Sequence, residues 1–150
     1  MKASAPRRNK NRGYKQLRVW EDAAELYGKV CRSVRGWSFE FKKVASQLIA
    51  SADSVHRNIA EGYARRSIRE YLNFLNIGLG SLAETVSSLD VYHRNEQFTD
   101  AQFEELDSLA FKLENGLLKL VESLERKRDQ GDWVDSLVVQ ESNVAYGCSA

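Results

Sequence analysis

Two carboxylate and imidazole pairs stand three residues apart in this chain, Asp53 with His56 and Asp90 with His93. On a helix that spacing puts both side chains of a pair on one face. In a four-helix bundle, two such pairs joined by a carboxylate from each remaining helix would build a di-metal centre. Distance forbids it here. His56 lies about seven residues before the connection that follows its helix and His93 about 26 after it, so antiparallel helices rising 1.5 Å per residue hold the two roughly 30 Å apart. Both are expected to be ordinary surface or seam-edge histidines, with no metal and no cofactor.

Other catalytic signatures fail as well. Helical ribonucleases of the higher-eukaryote and prokaryote nucleotide-binding class place an Arg four to six residues before a His, and neither His56 nor His93 has one. There is no glycine-rich phosphate loop, no Cys-x-x-Cys and no nucleophile elbow. The expectation is a protein that is not an enzyme.

The residues that could bind are basic. Arg65, Arg66 and Arg69 lie in or just after a short connection, with Arg57 close by in sequence. Guanidinium forks fit phosphate oxygens, although Glu61, Glu70 or a neighbouring subunit could equally neutralise them. Asn58 and Glu61 flank an apolar seam and read as a hydrogen-bonded strut from the second helix to the first, or to the start of the third. Ahead of the first acidic residue, Glu21, stand Lys2, Arg7, Arg8, Lys10, Arg12, Lys15 and Arg18. These are seven of the 22 Lys and Arg residues, which leaves 15 against 21 acidic residues in the rest of the chain. A basic arm on an acidic body follows. Met1 to Gly13, with the only proline and no apolar period, should be a disordered polycation suited to phosphate backbones.

Four helices must position these groups. The first is expected from about Val19 to Arg35, with Trp20, Ala23, Tyr27, Val30 and Val34 on its seam and Gly36 as its stop. Ser38 offers a cap for the second, whose seam is Phe41, Ala45, Leu48, Ala52, Val55, Ile59 and Gly62. Ser67 with Glu70 forms a capping box for the third, with Ile68, Leu72, Leu75, Leu79, Leu82, Val86 and Leu89 at steps of four and three. Thr99 with Gln102 repeats that signal for the fourth, whose seam is Phe103, Leu106, Ala110, Leu113, Leu117, Leu120 and Leu124. Four seams and short connections give an all-α antiparallel up-down-up-down bundle over residues 14–128, with an irregular tail over 129–150.

Between Tyr71 and Leu89 the only charge is Glu84, among Asn73, Asn76, Gly78, Gly80, Ser81, Ala83, Thr85, Ser87 and Ser88. Polar and glycine residues argue against a membrane span, which needs about 20 apolar residues. Either another subunit covers this face or the small residues sit beneath longer side chains of the same chain. The arm lacks the apolar core of a signal peptide, so a cytoplasmic location is expected. Cys31, beside apolar neighbours, reads as a small core residue, and Cys148 lies in a polar tail.

The blocks Leu17-x-Val19-Trp20-x-x-Ala23, Asn58-Ile59-Ala60-Glu61-Gly62, Arg65-Arg66-Ser67-x-x-Glu70 and Phe74-Leu75-x-Ile77-x-x-Gly80-Ser81-Leu82-x-Glu84 carry a resemblance over about Tyr14 to Leu124. Together they resemble the four-helix-bundle proteins encoded in intervening sequences of bacterial 23S ribosomal RNA genes. The resemblance implies a ring, typically a homopentamer, and a non-catalytic role in binding nucleic acid. A related branch resembles accessory proteins of diversity-generating retroelements, whose partners are a reverse transcriptase and its RNA. The expected ligand is RNA or an RNA–DNA intermediate held by its phosphates. The alternative is a protein-interaction scaffold docking on a reverse transcriptase or other polymerase through the acidic body and the Trp133 tail.

Overall fold

The computed structural model describes residues 12–131. A short 3-10 turn at Gly13–Gln16 leads into α1 (Arg18–Val34), a second at Phe39–Phe41 into α2 (Lys42–Tyr63), and α3 (Ile68–Arg94) and α4 (Asp100–Gln130) follow. Each helix packs on its neighbours in sequence and α1 closes against α4, while the diagonal pairs do not approach. Cross-links run in opposite directions along each pair. Asp22 and Lys29 of α1 meet Lys112 and Glu105 of α4, and Ser51 and Ser54 of α2 meet Thr85 and Ser81 of α3. This is the contact pattern of an up-down-up-down bundle.

The apolar seams become the core, with Leu26, Leu48, Ile59, Leu75, Leu82, Leu89, Leu106, Leu113 and Leu117 essentially inaccessible. Several seam positions shift. On α1 the buried stripe is Val19, Ala23, Leu26, Val30 and Val34, and the larger Trp20 and Tyr27 are left at its edge, where their rings pack on Tyr14 and His56. Phe41, expected inside, is exposed, because the 3-10 turn rather than an α-helical turn carries it. Leu79 and Val86 of α3 are only partly buried, while Tyr71, Gly78 and Thr85 are buried in the α2 contact. Cys31 is half-buried rather than a core residue.

The capping signals divide. Thr99 and Gln102 make the full box: Gln102 N–H donates to Thr99 Oγ1 at 3.1 Å, and Thr99 N–H donates to Gln102 Oε1 at 3.0 Å. Ser67 Oγ accepts from the Glu70 N–H at 3.1 Å, but the Glu70 carboxylate accepts from the Ser67 hydroxyl rather than from the Ser67 backbone N–H. Ser38 caps nothing; its hydroxyl donates to the Glu40 carboxylate, and the 3-10 turn begins the helix instead. Replacing Thr99→Ala should therefore cost about 1 kcal/mol, read as a lower denaturant midpoint with an unchanged slope.

The arm and tail boundaries also move. Gly13, expected in the arm, starts the first 3-10 turn, and α4 continues two residues past Arg128 before Gly131 ends it at φ 69. Met1–Asn11 and Asp132–Ala150 lie outside the described residues. Among the described residues no helix is long and apolar enough to cross a membrane.

Candidate nucleic-acid interface

Gly13 brings the root of the basic arm to the end of α2. A Cβ added there would overlap the Tyr63 hydroxyl, so a larger residue would have to push the end of the Tyr63 ring aside. Arg12, in the left-handed region at φ 42, precedes it, and its carbonyl accepts the Lys15 N–H at 2.8 Å. Arg12 and Lys15 are exposed here, beside the α2–α3 connection that carries Arg65 and Arg66 and the first turn of α3 that carries Arg69.

The arginines of this end differ in how they are engaged. Arg65 is held twice: its guanidinium donates to the Glu61 carboxylate at 2.7 Å and lies 4.6 Å from the centre of the Phe74 ring. Arg69 is exposed and makes no ion pair among the described residues. Arg66 is exposed and borders, with Ala64, Arg65, Ser67 and Glu70, a shallow concavity of about 360 Å³. Nearby Ser67 and Glu70 are occupied with capping α3.

Two expected members lie elsewhere. Arg57 sits eight residues before Arg65, about 12 Å along the helix, and reaches Asp53 at 3.6 Å. Arg18 lines a different concavity, between α1 and α4. Arg7, Arg8 and Lys10 fall outside the described residues. Conversely, Lys127 and Arg128, in the last turn of α4, and Arg126 just before it come to the basic end because α4 runs antiparallel to α3. The sequence signal was a basic run past the last seam residue, Leu124, but such a run is ordinary at a helix C-terminus, where it offsets the dipole.

The polar strut differs from expectation. Asn58 Nδ2 donates to the Ser54 carbonyl at 2.8 Å and to Ser54 Oγ at 3.0 Å, and Ser54 Oγ lies 2.8 Å from Ser81 Oγ. Asn58 therefore ties α2 to the middle of α3 through Ser54, while Glu61 turns to Arg65. The hydroxyl of Thr85, fully buried, has Ser51 Oγ and the Ser81 carbonyl both within 2.9 Å. This hydroxyl ladder replaces apolar contact where α2 and α3 come close.

Each histidine has its own carboxylate: His56 Nε2 lies 2.7 Å from Asp53, and His93 Nε2 lies 2.7 Å from Asp100 while its ring stacks on Phe103 at 4.2 Å. His93 thus bonds to α4 rather than to Asp90, which pairs with Arg94. No group of three His, Cys, Asp or Glu among the described residues could hold a metal ion.

The profile of the 23S rRNA-intervening sequence proteins matches residues 15–119. The chain belongs to that family. A solved structure described as a protein of unknown function from the S23 ribosomal protein family of Bacteroides thetaiotaomicron superposes with a TM-score of 0.64 at 24% identity, over 69% of this chain and 95% of that one. That likeness concerns the fold. Among curated proteins none matches the sequence. The intervening-sequence match begins at Lys15 and ends at Lys119, so it contains the α2–α3 connection but neither the arm nor the last turns of α4.

Proposed function

We propose that this chain is a non-catalytic, homo-oligomeric nucleic-acid-binding protein that grips the phosphates of structured RNA or of an RNA–DNA intermediate. The observation that carries the reading is the gathering of Arg12, Lys15, Arg65, Arg66, Arg69 and the Arg126–Arg128 run at one end of the bundle, where the basic arm begins. Such a surface gains affinity by releasing counterions condensed on a phosphate backbone.

Self-association is supported by the outer face of α3. Asn73, Asn76, Ile77, Gly80, Ala83 and Ser87 are all exposed along it, and Glu84 is the only charge between Tyr71 and Leu89. A long helix with so little charge facing water is suited to a second subunit, and the family resemblance makes a pentamer the expected ring. Repeating one basic end around a ring would multiply weak phosphate contacts through effective concentration.

The test is a salt titration of the full chain on a structured RNA. Affinity should fall linearly on a log-log plot, and Arg66→Gln with Arg69→Gln should flatten the slope by about 0.7 to 0.9 for each phosphate no longer neutralised. Truncation before Gly13 should weaken binding further. Equal retention of full-length and truncated chains at low and high salt would sink the proposal, and a protein partner recovered after nuclease treatment would put a scaffold in its place. For the ring, Ala83→Arg should convert a larger particle to the 17.1 kDa monomer in light scattering; an unsubstituted chain already monomeric at that concentration would remove the self-association.

A further inference from the structure

The first helix is shorter than its neighbour. α1 begins at Arg18, level with Gly116, where an added Cβ would stand 2.9 Å from Val19 Cγ1. α4 continues from there to Gln130, an overhang of about 21 Å at 1.5 Å per residue. Where the cover of α1 gives out, a groove of about 720 Å³ remains, with Leu17, Val19, Phe111 and Leu120 as its apolar lining and Lys112 and Lys119 on its walls. Phe111 is 64% exposed and Leu118, seven residues on along the same side of α4, is 44% exposed. The one acidic residue lining the groove, Asp22, is held by Lys112 at 3.3 Å.

We propose that the segment following Gly131 in this same chain, Asp132 to Gln140, docks in this groove. Leu137, Val138 and Val139 supply the apolar contact, and Asp135 lies toward Lys119. Reach permits it. Gly131, at φ 69, ends α4 and frees the chain to turn. From Gly131 back to Lys119 is about 18 Å along the helix, and an extended chain covers about 3.3 Å per residue, so Leu137 arrives at that level. Charge selects this segment over the other candidate. Residues 132–150 contain Asp132, Asp135 and Glu141 and no Lys or Arg, whereas the N-terminal arm is polycationic and would be repelled by Arg18, Lys112 and Lys119.

The test pairs cysteines in the full chain, on a Cys31→Ala, Cys148→Ser background, with oxidised glutathione as oxidant. Ser136→Cys is combined with Lys119→Cys in one variant and with Arg128→Cys in the other. Position 128 is closer in sequence and about 180° round the helix from 119, so a tail with no preferred seat closes on it faster. Docking predicts that the 119 pair forms an intrachain disulfide roughly tenfold faster than the 128 pair, through the effective concentration that docking sets, and that adding Leu137→Asp and Val138→Asp abolishes the advantage. Faster closure at 128, equal rates, or a 119 product that is mainly interchain would overturn the proposal, the last by giving the groove to a second copy. Circular dichroism of each variant confirms that the helices remain.

Discussion

Gly62→Leu should lower stability by about 3 kcal/mol, a larger effect than ordinary surface substitutions reach. Gly62 is a point of close approach between α2 and α3: a Cβ there would stand 2.9 Å from Phe74 Cβ, 3.0 Å from Tyr71 Cδ2 and 3.2 Å from the Tyr71 carbonyl oxygen. None of these is the free end of a flexible side chain, and one is backbone, so the two helices themselves must separate. Glycine costs about 1 kcal/mol against alanine within a helix, which offsets part of the strain in Gly62→Ala but little of it once three more carbons are added. Thermal unfolding should show a fall of roughly 10 °C for Gly62→Leu, at 2–4 °C per kcal/mol for a chain of this size. Gly80→Ala is the control. Nothing lies within 4 Å of a Cβ at Gly80, so an isolated chain should gain about 0.5 to 1 kcal/mol there. An unchanged midpoint for Gly62→Leu would mean that the α2–α3 crossing is not the rigid contact described.

Alkaline pH should weaken the fold through Tyr71, by about 2 kcal/mol between pH 9 and 12. Tyr71 is 5% exposed. Its hydroxyl is pushed up to about 12 from 10.0, first by burial and then by the neighbouring Tyr63. The two rings meet edge to face at 6.2 Å. In the unfolded chain the phenol ionises near 10, while in the folded chain it stays neutral to higher pH. The contribution is therefore fully present below pH 10 and is lost as pH rises through the folded value. Tyr71→Phe cannot ionise, so its denaturant midpoints at pH 9 and pH 11.5 should differ by less than those of the unsubstituted chain. Identical pH dependence in the two would show that Tyr71 is not the group responsible.

Much of the bundle is written locally. The three-four spacing of Leu72, Leu75, Leu82 and Leu89, and the Thr99–Gln102 box, need only helical geometry to be read, and both are present in the folded chain. Seam edges were less legible, because periodicity identifies a face but not its angular centre. On α1 the smaller Leu26 and Val19 go inside and the larger Trp20 and Tyr27 stay at the rim. Ser38 failed as a cap because a serine before a helix has a second local partner, here Glu40, and the sequence does not say which it takes.

The candidate interface divides in the same way. The residue types of the basic turn and arm, and their place between helices, were fixed by the order of amino acids alone. How each charge is engaged was decided by the tertiary structure. Arg65 went to Glu61 and Phe74, Arg57, about 12 Å from Arg65 along the helix, went to Asp53, and the last turn of α4 came in from a segment some sixty residues later in the chain. The overhang of α4 past the start of α1 is likewise a product of packing. Helix lengths can be counted from sequence, but the level at which two helices meet depends on contacts such as Gly116 against Val19, made between residues far apart in the chain.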